Sequence, residues 1–262
     1  MSSADASAAP APRPRASREK TRPSVFWPLA AIVVPLMGLI AKVEITGGEK
    51  LPRSGAYVVA PNHSTEFDPL IIAVVVWRLG RAPRFLAKES LFRVPVLGWA
   101  LRATGMVPVA RSSSAAASRE TIESSQQLVE HGRGVIVYPE GTLTRDPDLW
   151  PMRGKTGAVR LALAGGIPVI PVAHWGGEAI LPRYGKLSLW PLRRRVRVLV
   201  GDPVDLSEFA GRGAEASVLT AATDKVMVAI SALVGELRGQ TPPAERWNPA
   251  AHGQRETGRL EP

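Results

Sequence analysis

The chain of 262 residues has no cysteine and a formal net charge of +10. That excludes disulfides, thiolate metal sites and a cysteine acyl-enzyme. The length suits one α/β domain with appendages and is enough to bury a sizeable core. Four histidines, His63, His131, His174 and His252, are too few for a His-rich metal centre. Aromatic residues at 6% are sparse for a surface that stacks nucleic-acid bases.

The charge is not confined to the ends. Residues 1–24 carry five bases against two acids, and residues 241–262 balance three against three, leaving +7 in the body. A basic body favours anionic partners: lipid headgroups, nucleotide-like phosphates or nucleic acid. The run Arg193-Arg194-Arg195-x-Arg197 suits any of these, or a solvated edge strand.

Residues 1–24 are rich in Ala, Pro, Ser and Arg and read as a disordered basic cytosolic tail. Val25 to Ala41 is an uncharged, mostly apolar run of seventeen residues with Trp27, Pro28 and Pro35 inside it. A simple membrane span needs about twenty residues. The basic tail should stay on the cytoplasmic side, so one full span would carry the body across. The expectation is a hydrophobic membrane-anchoring segment over 25–42, shallow or re-entrant, at the cytoplasmic face of the cell membrane. The alternative is a soluble helix covering the core.

Lys42 to Lys50 reads as a strand and a turn at Gly47-Gly48. Tyr57-Val58-Val59-Ala60 is a buried strand, and Leu70 to Leu79 a helix. Arg84 to Ala87 is a strand ending at Lys88, Leu91 to Ala103 a helix interrupted near Pro95, and Met106 to Val109 a short strand. Ala115 to His131 is a helix stopped by Gly132 and Gly134. Val135 to Tyr138 is a buried strand, followed by a long loop over Pro139 to Arg153, a length often tied to function. Thr156 to Ala164 is a helix, Val169 to Ala173 and Val196 to Val200 are strands, and Val218 to Leu237 is an amphipathic closing helix. Residues 240–262 read as a disordered tail. The alternation predicts a single α/β domain with a largely parallel or mixed sheet flanked by helices, plus the N-terminal hydrophobic, membrane-associating helix.

Between the strand at Tyr57 and the helix at Leu70 lies Asn62-His63-Ser64-Thr65-Glu66-Phe67-Asp68-Pro69. Pro69 fits the first helical position and Asp68 the N-cap. His63 then occupies the loop at the carboxyl end of a strand, where open α/β sheets place their ligands. Histidine moves protons near neutral pH and needs a partner to fix its tautomer; Asp68 serves if the loop curls back. On spacing alone a helix-capping Asp beside a solvated His is an equal alternative.

The block resembles the His-x4-Asp motif of the 1-acylglycerol-3-phosphate acyltransferase family. Three further blocks follow in the family's order: Gly105-Met106-Val107-Pro108-Val109-Ala110-Arg111, Tyr138-Pro139-Glu140-Gly141-Thr142 and Ile167-Pro168-Val169-Ile170-Pro171-Val172. The resemblance covers roughly 43–203 and marks 43–239 as an acyltransferase domain. It implies transfer of a fatty acyl group from acyl-CoA or acyl carrier protein to the free sn-2 hydroxyl of 1-acylglycerol 3-phosphate, giving phosphatidic acid in phospholipid biosynthesis, with no covalent acyl-enzyme, no cofactor and no metal. Its implied partners are those two substrates and a membrane surface, not nucleic acid.

In that chemistry a base must take the proton of the acceptor hydroxyl, and the oxyanion and both substrates must be held. His63 is the candidate base and Asp68 its orienting carboxylate. Asn62, Lys88 and Gly105 lie within or beside the motifs as candidate substrate-binding residues. Arg111 is the candidate phosphate ligand, since a guanidinium pairs with phosphate through two hydrogen bonds. Glu140 is expected to hold an arginine or a glycerol hydroxyl, Gly141 to allow close backbone approach, and Thr142 to hydrogen-bond. Arg145 and Lys155 add positive charge around the long loop, or are ordinary surface bases. The fourth block is expected to shape an acyl or CoA groove. Gly154-Lys155-Thr156 mimics a P-loop ending, but position 149 is Leu149 and no strand precedes it, so no ATP site is expected.

Three rivals stay open at this level: a basic membrane- or nucleic-acid-binding protein without catalysis, a metal-assisted phosphoesterase using His63, Glu66 and Asp68, and the same acyl transfer to another lysolipid or an amino-acid lipid. The role given to Arg111 has a kinetic signature. Arg111→Ala should raise the Michaelis constant for a phosphorylated acceptor by about tenfold or more while leaving that for acyl-CoA nearly unchanged, as measured by initial rates with each substrate varied in turn.

Overall fold

The computed structural model describes residues 24–255 apart from 89–91, 110–114 and 214. Helix α1 (Phe26–Ile40) runs straight into strand β1 (Ala41–Thr46). Then follow β2 (Tyr57–Pro61), α2 (Asp68–Arg78), β3 (Leu86–Lys88), α3 (Pro95–Ala103), β4 (Val107–Val109), α4 (Ala115–His131) and β5 (Gly134–Ile136). The second half supplies α5 (Gly157–Gly165), β6 (Val169–Trp175), β7 (Arg194–Val200) and α6 (Ala216–Arg238).

Five strands form a sheet in the order β1-β7-β6-β2-β5, and β3 pairs with β4. A parallel bridge between Phe85 and Ile136 and a 2.6 Å bond from the Ile136 N–H to the Arg84 carbonyl join that pair to β5. Among the described strands every pairing is parallel except β6 against β7. The single antiparallel junction decides what meets where. It brings the carboxyl ends of β2, β5 and β6 to the same end of the sheet as the amino ends of β1 and β7.

The two faces of the sheet are both covered, which is why its central strands read as unbroken apolar runs. Val58 and Ala60 of β2 pack with Val135, Val169, Leu219, Val226 and Ile230 under α5 and α6. Tyr57 and Val59 point the other way, into Ile71, Ile72, Val75, Ile170 and Val198 under α2. Among the described residues α6 alone is long and apolar enough to cross a membrane, yet 56% of its most apolar window is buried. It is the closing core helix that its sequence pattern predicts. α1 is shorter, and its outer face leaves Trp27, Leu29, Ile32, Leu36 and Leu39 exposed.

The chain after α6 departs from expectation. Residues 240–255 lie against the body instead of forming a loose tail. The Arg153 N–H donates to the Trp247 carbonyl at 3.0 Å, Arg246 pairs with Asp224 at 2.6 Å, and the Trp247 and His252 rings stack at 3.5 Å. Residues 256–262 lie outside the described part.

Close packing is tightest where β5 starts. A Cβ at Gly134 would stand 2.0 Å from the Tyr57 ring. That ring is fully buried, with the Arg81 guanidinium 4.6 Å from its centroid. The guanidinium is itself tied to the carbonyls of Pro52, Gly55 and Gly132. The ring therefore has no room to yield. Gly134→Ala should destabilise the fold by about 2–3 kcal/mol through overpacking, measured by urea unfolding, whereas the same change at Gly157, whose Cβ would meet nothing within 4 Å, should not.

Candidate active site

The loop between β2 and α2 opens at the carboxyl end of a fully buried strand. Helix α2 starts at Asp68, with Pro69 in its first turn and Phe67 in the N-cap position. Asp68 is thus not the N-cap that the spacing suggests. It lies one residue further in, and its carboxylate turns back over the loop. Oδ2 accepts the Ser64 N–H at 2.6 Å and the Thr65 N–H at 2.8 Å. Oδ1 accepts the Thr65 hydroxyl at 2.7 Å. The remaining partner of Oδ2 is His63 Nδ1, at 3.1 Å.

Asp68 is 0% exposed and the His63 side chain 16%. Burial alone would push the Asp68 carboxyl up. The neighbouring His174 imidazole, the hydrogen bond from His63 and the Thr65 N–H outweigh it and hold the group below the usual carboxylate range. Asp68 is therefore an anion with its lone pairs filled by donors. With Nδ1–H given to that anion, His63 Nε2 is left as the acceptor. Glu66 is exposed and stands apart from this set, and a cation would have to displace four donors from Asp68. The residues present do not suit a metal between them.

The backbone of His63 is held by the long loop. Its N–H donates to Glu140 Oε1 at 2.8 Å, and its carbonyl accepts the Thr144 N–H at 2.7 Å. Its ring stacks on Tyr138, centroids 4.1 Å apart. Glu140 Oε2 accepts the Met152 N–H at 3.1 Å. Glu140 is 0% exposed, so its carboxyl holds two backbone amides and not the arginine or glycerol hydroxyl expected of it. Burial pushes it up to about 8, against the pull of the Met152 and His63 N–H groups and Thr144, with the Asp68 charge adding to the rise.

Asn62 makes a second clamp, on β6. Its side-chain oxygen accepts the His174 N–H at 2.9 Å, and its amide donates to the His174 carbonyl at 3.2 Å. His174 Nε2 lies 2.9 Å from the Asn62 carbonyl and 3.6 Å from Asp68 Oδ2. Asn62 is buried and acts on the loop, not on a ligand. The sequence reading missed His174, because a lone histidine in an apolar strand looks like core. It also missed Arg183, whose guanidinium donates to the Thr144 and Asp146 carbonyls and braces the long loop.

The other expected residues fall into separate places. Gly141 has φ +69°, and a Cβ there would meet the Lys155 stem at 3.0 Å. Lys155 lines a cavity of about 250 Å³ with Glu140, Met152, Arg153, Gly154, Thr156 and Pro249, at the amino end of α5. Thr142 is half-buried on the rim of the same loop. Arg145, expected to bind substrate through its charge in the long loop or else to be an ordinary surface base, is buried. Gly105 is remote from His63: it turns α3 into β4 with φ +66°, against Arg84. The fourth block forms the start of β6, where Val169, Ile170 and Val172 are core and do not line a groove. Lys88 closes β3 at the carboxyl end of the sheet. Arg111 lies outside the described residues.

The neutral Glu140 gives a pH signature. Its pKa is raised from an ordinary 4.5 to about 8, so between those values the native state holds a proton that the unfolded chain has lost. Its contribution to stability is complete below pH 4.5 and is lost as pH rises through 8. Glu140→Gln should lower the melting temperature at pH 5, since one amide loses its acceptor, and should flatten the fall in melting temperature between pH 5 and 9. Thermal unfolding followed by circular dichroism across that range checks both.

Comparison with known proteins adds to this geometry. The sequence model of the Acyltransferase family matches residues 42–175. The chain is 33% identical over 164 residues to the 1-acyl-sn-glycerol-3-phosphate acyltransferase BAT2, chloroplastic, of Brassica napus, covering 62% of this chain and 45% of that protein. It is 28% identical over 175 residues to the 1-acyl-sn-glycerol-3-phosphate acyltransferase of Bacillus subtilis, covering 67% of this chain and 80% of that one. The chain spans about half the length of the first curated relatives that it matches, 44% to 55%. The crystal structure of the 1-acyl-sn-glycerophosphate (LPA) acyltransferase PlsC from Thermotoga maritima superposes with a TM-score of 0.55 at 27% identity, over 80% of this chain and 75% of that one.

Proposed function

This chain belongs to the Acyltransferase family, and we propose that it moves a fatty acyl group from acyl-CoA, or acyl carrier protein, to the free sn-2 hydroxyl of 1-acylglycerol 3-phosphate. The product is phosphatidic acid, for phospholipid biosynthesis. The observation that carries the reading is the 3.1 Å pair of His63 Nδ1 and Asp68 Oδ2, with the ring partly open to solvent and the carboxylate sealed. The names of the relatives supply the acceptor, and the chemistry of the pair supplies the step.

In that step His63 Nε2 takes the proton of the acceptor hydroxyl as its oxygen attacks the thioester carbon. The imidazolium so formed is stabilised by Asp68. When the tetrahedral adduct collapses, the carbon–sulfur bond breaks and His63 returns the proton to the leaving thiolate. The new ester carries the acyl group, the thiol leaves neutral, and the base is regenerated. No serine or cysteine is acylated on the way. Ser64 Oγ is buried and lacks any base positioned to activate it.

Arg153 and Lys155, beside the amino end of α5, offer positive charge to the acceptor phosphate, and Arg111 is the further phosphate ligand that the second motif implies. An apolar cavity of about 180 Å³ between α1, α2 and β3, lined by residues including Leu29, Val33, Leu70 and Trp77, offers room for part of an acyl chain. The exposed apolar face of α1 rests on the cytoplasmic leaflet of the cell membrane in this reading.

The test is a thiol-release assay with one acyl-CoA and a panel of lysolipid acceptors. His63→Ala should lower kcat by about a thousandfold or more, and Asp68→Asn by about a hundredfold or more with little change in Michaelis constant. Full turnover in the His63 variant, or equal rates with acceptors lacking phosphate, would overturn the reading.

A further inference from the structure

The antiparallel junction leaves a second apolar surface beside α1. The segment before β7 projects Leu187, Leu189, Trp190 and Leu192 into solvent, Trp190 at 80% exposure. Lys186 and Arg193 flank it and are exposed too. An exposed Trp among leucines, bordered by cations, has the composition of an interfacial anchor, since indole sits at headgroup depth and Lys and Arg meet anionic lipid.

The segment is braced, not loose. Arg194 donates to the Ala179 and Trp190 carbonyls and to the Ser188 hydroxyl, and the Ser188 N–H donates to the Ile180 carbonyl at 2.7 Å. Arg193 takes a left-handed turn, φ +58°, into β7. Its N–H donates to the Leu39 carbonyl at 3.2 Å. The register of β1 and β7 sets Ala41 beside Arg194, so α1 and this segment enter the sheet side by side. They do so at the end of the sheet that carries His63.

The geometry points to residues 186–193 as a second membrane-docking element, which with α1 seats the carboxyl end of β2 against an anionic phospholipid surface. The inference rests on the reading that the chain works at a membrane. It adds what fixes the tilt. One apolar helix lying in a bilayer is free to roll about its axis. Two anchors joined through the β1–β7 pair are not. The acceptor hydroxyl, held near the headgroups, would then meet the His63 loop without leaving the lipid.

The absence of cysteine from the chain permits a direct test on all 262 residues. Leu192→Cys and, separately, Ile32→Cys are labelled with nitrobenzoxadiazole and mixed with vesicles of phosphatidylcholine alone or with phosphatidylglycerol. Both probes should shift to the blue with phosphatidylglycerol present. In unlabelled protein, Trp190→Ser with Arg193→Glu should weaken vesicle binding about tenfold or more, while circular dichroism and turnover of a short-chain acceptor dispersed in water stay unchanged. A probe at position 192 that remains in water while that at 32 responds overturns the inference and leaves α1 as the anchor. Silence of both probes overturns it and membrane docking together, but not acyl transfer, which the thiol-release assay reads without vesicles. An equal response to phosphatidylcholine alone overturns the part given to charge.

Discussion

A buried carboxylate that has four donors around it and one histidine among them organises this end of the molecule. Asp68 collects the amides of Ser64 and Thr65, the Thr65 hydroxyl and the His63 ring. A charge sealed from water is costly unless its bonds are all made. The loop therefore has one way to fold around it, and that way points the imidazole outward with its far nitrogen open. Removing the charge would leave those donors unsatisfied and free the ring to turn.

A second layer keeps this arrangement in register with the sheet. His63 is gripped through its own peptide groups by Glu140 and Thr144. Asn62 is gripped by the backbone of His174 on β6. The two clamps come from opposite neighbours of β2, so the His63 ring stands on strand geometry and not on a free loop. Glu140 belongs to this scaffold. A carboxyl held neutral by burial accepts from two amides without setting a second anion beside Asp68.

The parts of this design that are local in sequence were legible there. His63 and Asp68 lie five positions apart between a strand and a proline-started helix, and the chemistry of the two residue types does the rest. The alternation of apolar runs gave the sheet, its helices and the closing role of α6. What depends on distant segments meeting was not legible. Glu140 reads as a ligand for substrate because a charge in a loop is normally wet, and it is its burial against the amides of Met152 and His63 that says otherwise. Arg145 misleads in the same way. His174 lies 112 residues from Asn62, and nothing in an apolar strand announces that its histidine will face a carboxylate. The tail after Gly239 has the composition of a loose end, but Trp247 and Arg246 find partners on Arg153 and Asp224.

The mixed sheet gives this site its setting. Because β6 and β7, among the described strands, run antiparallel, the apolar helix α1 and the His63 loop open toward the same side. The central claim is that Asp68 holds the His63 ring with Nδ1 protonated and Nε2 open as a base. Nitrogen NMR of the 15N-imidazole-labelled protein, with the His63 signals assigned by their loss in His63→Ala, tests it most directly. At a pH where the ring is neutral, the account predicts a proton on Nδ1 and none on Nε2, with that preference lost in Asp68→Asn. A proton resident on Nε2 in the unaltered protein would contradict it.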